Sequence, residues 1–157
     1  MEIKFLNQPK EVKLGDILNQ RLSEKFDEVY IVVGLVKDTG IEIIQEEMEN
    51  AIKNSTKINV FIGVDRKNTS KDMMMKLLSI GCNLNIHINT DDDKAEMRVY
   101  VFDNKNGESY IYMTGSKLSS GGLLENSSIV AEIKYDGSER KAFDIAKNNI
   151  LASAVSE

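Results

Sequence analysis

The hydrophobic positions of this chain follow two alternating periods. Residues 2–6 predict a short strand. Leu14, Leu18, Leu22 and Phe26 then repeat every four residues, with Ile17 on the same side. That spacing predicts an amphipathic helix, because residues three and four apart share one helix face. Residues 28–36 (EVYIVVGLV) predict a buried strand. Ile41, Ile44, Met48 and Ile52 mark a second helix, whose polar side carries Gln45, Glu46, Glu49 and Lys53. Residues 57–64 (KINVFIGV) are rich in β-branched side chains and predict another strand. Residues 65–70 (DRKNTS) predict a loop in which Thr69 or Ser70 caps a helix over 71–80, with Gly81 as its stop. The run Met73-Met74-Met75 covers more than one face of that helix, which predicts core filling with some surface left for an interface. Residues 83–88 predict a fourth strand.

The pattern then changes. Residues 97–102 and 109–114, joined by a turn at 104–107, predict an antiparallel hairpin. A flexible Ser/Gly loop is expected over 115–122, a last strand over 128–135, a turn at Asp136-Gly137 and a helix over 138–151. Strand–helix alternation followed by a hairpin predicts an α/β fold, a single lobe with a mixed, mostly parallel sheet flanked by helices. No internal repeat or linker interrupts residues 1–157, which suit one domain around one core.

Composition narrows the function. The chain is 41% hydrophobic and 29% charged, ordinary for a soluble globular protein. No apolar run approaches the roughly 18–20 residues that span a bilayer, and the N-terminus lacks a signal-peptide pattern. A cytoplasmic location without a membrane partner is the expectation. Cys82 is the single cysteine, so it forms no internal disulfide and reads as a buried structural thiol. With one Cys and one His, zinc-type ligand pairs are absent, and neither a metal nor a cofactor is expected. The net charge of −5 argues against nucleic-acid binding by the whole surface, while leaving room for a local basic site.

In α/β sheets, ligands gather beyond the carboxyl ends of the strands. Residues 94–128 place a strand pair ahead of a Gly/Ser loop that contains Lys117. Glycine-freed amides, Ser hydroxyls and a Lys can together hold an anion such as a phosphate. On composition alone, a tolerant hairpin exit accounts better for the segment. His87 lies among alternating neighbours at a strand end and reads as structural or surface. Asp91-Asp92-Asp93 point in different directions and read as a solvated acidic loop. Glu96 and Asp103 fall on opposite faces of a regular strand, which speaks against a carboxylate dyad.

The same segment resembles the active-site stretch of the phospholipase D superfamily, more closely its restriction-nuclease and helicase-associated branch. The family pattern is His-x-Lys on a strand, Asp five residues after the Lys, a hairpin, a Gly-Ser-x-Asn loop, often Gly-Leu, then Asn-x-Glu. Here Glu96 stands at the His, Arg98 at the Lys, and Asp103 matches the Asp. Gly115-Ser116 match directly. The Asn position falls on Leu118, or on Lys117 if the loop is anchored on Gly122-Leu123. Asn126 matches the later Asn, and Ser128 replaces the Glu. The resemblance implies a mechanism in which a His attacks phosphorus, a second His acts as general acid, and Lys and Asn stabilise the oxyanions. An ionised Glu96 would repel a phosphodiester, whereas Arg98 could still bind one bidentately.

The resemblance therefore implies a catalytically degenerate phospholipase-D-like domain over 1–157, acting as a binding or assembly module within a restriction, helicase or other DNA-processing system. Its anion-binding candidates are Arg98, Gly115, Ser116, Lys117 and Asn126. Family enzymes pair two motif copies, and this chain has one. A homodimer is thus implied, with DNA or a larger DNA-processing protein as further partners. A second reading keeps the activity, as a divergent phosphodiesterase or nuclease using Glu96, Arg98, Ser116 and Lys117. A third takes the chain as an unrelated α/β domain whose match is chance.

Overall fold

The computed structural model describes residues 1–34, 36–64, 71–88, 98–115 and 118–155, with only the backbone of Val64, His87, Ile88 and Val155. The elements follow the periodicity. In chain order they are β1 (Glu2–Gln8), α1 (Leu14–Ser23), β2 (Glu28–Val33), α2 (Asp38–Lys53), β3 (Lys57–Val64), α3 (Lys71–Ile80) and β4 (Asn83–Ile88). Next come β5 (Arg98–Asp103), β6 (Ser109–Thr114), α4 (Ser120–Leu124), β7 (Ser128–Tyr135), a 3₁₀ turn (Gly137–Glu139) and α5 (Arg140–Val155). The apolar repeat of α1 is buried, with Leu14, Leu18 and Leu22 all in the core. Gly81 takes a left-handed φ of 107°, which lets α3 end there without a Cβ clash.

The strands form one seven-stranded sheet in the order β1-β7-β6-β5-β2-β3-β4. It is mixed, but not mostly parallel as the sequence pattern predicts. Only β2–β3 and β3–β4 pair in parallel. The β2–β5, β5–β6, β6–β7 and β1–β7 pairs are antiparallel. The cause is the placement of β5. It docks antiparallel beside β2 instead of extending the sheet past β4, so its hairpin partner β6, then β7 and β1, continue the alternation.

Both faces of β2 are covered, so it reads as an almost continuous apolar run. Ile31 and Val33 join the core beneath α1–α4, while Tyr30 and Val32 face α5 on the other side. Of the methionine run in α3, Met73 is buried, Met74 packs at the core margin and Met75 is exposed. Cys82 is buried as expected, and burial pushes its thiol up to about 12. No described helix is long and apolar enough to cross a membrane.

The stretch 115–122 is not simply the flexible loop the sequence suggests. Its second half forms α4, whose N-cap Ser119 accepts from the Gly122 amide at 3.1 Å. Leu118 is fully buried and forms a parallel bridge with Val36.

Candidate functional site

Strand register brings several strand ends to one edge. Val33 pairs with Arg98, Thr114 with Val130, and Gln8 with Ser128. The same edge carries the carboxyl ends of the parallel strands β2, β3 and β4. It is the edge where an α/β sheet gathers ligands.

Arg98 opens β5 at this edge, and its Nη1 donates to the Gly115 carbonyl at 3.0 Å. Two of the sequence candidates are thereby brought together from the two strands of the hairpin. Thr114 Oγ1 and Ser128 Oγ lie 3.2 Å apart beside them. Gly115 is exposed, and among the described residues an added Cβ would meet only Ser128 Oγ, at 3.9 Å. Packing therefore does not demand glycine at 115.

The following residues are bolted to the start of α2. The Lys37 amide donates to the Leu118 carbonyl at 3.0 Å, and the Ser120 amide donates to Thr39 Oγ1 at 3.2 Å. Gly40 makes this approach possible, because a Cβ there would lie 2.5 Å from the Leu118 carbonyl carbon and oxygen. From the other side, the fully buried Gln8 locks the exit of α4. Its Nε2 donates to the Gly122 and Asn126 carbonyls, each at 2.9 Å, and its Oε1 accepts from the Leu14 amide at 2.7 Å. No local pattern marks Gln8, because the Gly122 and Asn126 carbonyls that it binds lie more than a hundred residues away in the chain.

Asn126 serves this junction. Its amide donates to the Gly121 carbonyl at 2.8 Å, and its side-chain amide lies against Gly121. Asp103 stands at the far end of β5, about 17 Å from Arg98 along an extended strand. It is 1% exposed and clamped by Arg140, at 2.5 and 3.2 Å, and by Lys147 at 2.9 Å. Burial alone would raise its carboxyl, but these hydrogen bonds and the two charges outweigh it and hold Asp103 below the ordinary carboxylate value. Asp103 thus anchors α5 and does not reach the Arg98 edge. Glu96, Ser116, Lys117 and the aspartates 91–93 lie outside the described residues, as does the side chain of His87. Among the described residues, no three His, Cys, Asp or Glu side chains come together as a metal site would require.

No family model and no curated protein matches the chain by sequence. Solved structures do match its fold. Nuc from Salmonella typhimurium, a phospholipase D family member, superposes with a TM-score of 0.67 at 11% identity, over 97% of this chain and 95% of Nuc. NucT from Helicobacter pylori gives 0.68 at 12% identity, over 97% and 94%. Polyphosphate kinase from Porphyromonas gingivalis gives 0.64 at 9% identity, over 99% of this chain but 26% of the kinase. The chain therefore has the phospholipase-D-like fold, as one whole lobe of it.

Proposed function

We propose that this lobe binds a phosphate group at the Arg98 edge without cleaving a phosphodiester, and so works as a binding or assembly module. The observation that carries this reading is the 3.0 Å contact between the Arg98 guanidinium and the Gly115 carbonyl. It fixes a cation, whose planar fork suits phosphate oxygens, against a backbone that packing does not require to be glycine. Two neighbours of the fold support the ligand class by name, a phospholipase D family member and a polyphosphate kinase. Glu96 argues against chemistry, since a carboxylate at the nucleophile's place in the family pattern repels the ester it would attack. The resemblance further supports pairing with a second copy of the chain, and a setting in a restriction, helicase or other DNA-processing system.

The test uses the purified chain and two small probes. Inorganic phosphate is expected to raise the Tm, and Arg98→Gln to abolish that rise. Bis(p-nitrophenyl) phosphate is expected to release no nitrophenolate above blank. Release that disappears in Glu96→Ala would make the chain a divergent phosphodiesterase, and a Tm indifferent to phosphate would remove the binding site.

A further inference from the structure

Tyr100 carries a polar atom that nothing among the described residues serves. It stands on β5 two residues from Arg98, so both side chains leave the same face of the sheet. The residue is 0% exposed, in the core beneath α1–α4, and its hydroxyl has no hydrogen-bond partner among the described residues. Three other tyrosines of the sheet are provided for. The Tyr112 hydroxyl, on the neighbouring strand and the same face, accepts from Arg21 and donates to Glu132, each at 2.8 Å. Tyr30 and Tyr110 donate to Glu28 and Glu108. A buried hydroxyl left unserved costs stability, so its persistence beside a candidate ligand edge points to a partner that arrives with the ligand.

We propose that Tyr100 belongs to the phosphate site, its hydroxyl donating to an oxygen of the oxyanion that Arg98 holds; the proposal rests on the phosphate-binding reading above. Burial pushes the phenol above its ordinary range more than the Arg98 charge draws it down. Tyr100 therefore stays a neutral donor and adds no charge to repel an anion. The geometry also selects among anions. A planar carboxylate offers its two oxygens to the guanidinium fork in one plane, while a tetrahedral phosphate has a further oxygen for a donor elsewhere. Inorganic phosphate should bind well ahead of acetate.

The experiment compares wild type, Tyr100→Phe and Arg98→Gln by thermal unfolding and by calorimetric titration with phosphate and with acetate. Tyr100→Phe keeps the ring and removes the unserved hydroxyl. Its phosphate-free Tm is expected to rise, while phosphate affinity falls about tenfold, the scale of one hydrogen bond to a charged group. Phosphate binding by wild type that Tyr100→Phe leaves unchanged would overturn the role of Tyr100 and leave the Arg98 site standing. Absence of phosphate binding by wild type overturns both. A phosphate-free Tm that drops in Tyr100→Phe also overturns the proposal, because the hydroxyl would then have a partner within the protein.

Discussion

At the residue scale, two glycines near the same edge have opposite meanings. A Cβ at Gly40 would stand 2.5 Å from the Leu118 backbone, and backbone cannot turn aside as a side chain can. Gly40→Ala must push α2 away from the 118–120 segment and strain the Lys37–Leu118 and Ser120–Thr39 hydrogen bonds. A loss of about 2–3 kcal/mol is expected, read as a lower midpoint in urea. Gly115→Ala meets, among the described residues, only Ser128 Oγ at an ordinary contact distance, and should leave that midpoint within about 0.5 kcal/mol, while weakening the phosphate-dependent rise in Tm. The local sequence pattern marks Gly115 and not Gly40. The reason is physical: the demand at Gly40 comes from Leu118, which no local pattern links to it. Gln8 and Tyr100 escaped for the same reason, since being served or unserved is decided by partners distant in the chain.

At the element scale, α5 is the only helix on its face of the sheet among the described residues, and Asp103 pins its first half. The carboxyl is held below its ordinary value of 3.8, so the unfolded chain takes up a proton before the folded one does. The pin is therefore fully present above about pH 4 and is lost as pH falls through the depressed folded value. Urea midpoints measured from pH 7 downward should hold until that range and then drop. Asp103→Asn should be less stable at pH 7 by about 2–3 kcal/mol, because it leaves Arg140 and Lys147 facing a neutral group. The figure is at the low end for a buried pair, since Arg140 is 31% exposed and partly screened by solvent. The acid drop should be shallower in this variant. An equally steep drop would show that other carboxyls govern acid unfolding. The sequence made the elements themselves legible, through the four-residue repeat of α1, the β-branched run of β3 and the hairpin of β5 and β6. It hid α4, because SGGLL is a poor helix former that the Ser119 cap and the buried Leu123 hold in place. It also hid the sheet order, because periodicity says which face of a strand is buried and not which strand lies beside it.

At the scale of the whole molecule, the sheet is covered unequally. Beside the part that α5 covers, Phe5 and Ile3 of β1, Ile129 of β7 and Met113 of β6 remain exposed, Phe5 to 71%. Register places them together on one face: Phe5 pairs with Ala131, Ala131 with Met113, and Ile3 with Ile133, which packs toward α5. Ile129, two residues from Ala131, shares that face. The patch borders the candidate edge, since Met113 precedes Thr114 and Ile129 follows Ser128. Contiguous exposed apolar surface of this kind marks association sites. A second copy facing the edge, as the resemblance implies, would find it within reach. Two copies of a chain with net charge −5 repel at long range, so apolar burial has to supply the attraction and added salt should strengthen it. Sedimentation velocity at tens of micromolar protein is expected to show a dimer that tightens from low to moderate salt. Phe5→Asp should shift it toward monomer with little change in Tm at low protein concentration, because a side chain this exposed contributes little to the fold of one copy. A chain that stays monomeric at every concentration and salt would separate phosphate binding from pairing, and leave Arg98 and Gly115 working within a single lobe.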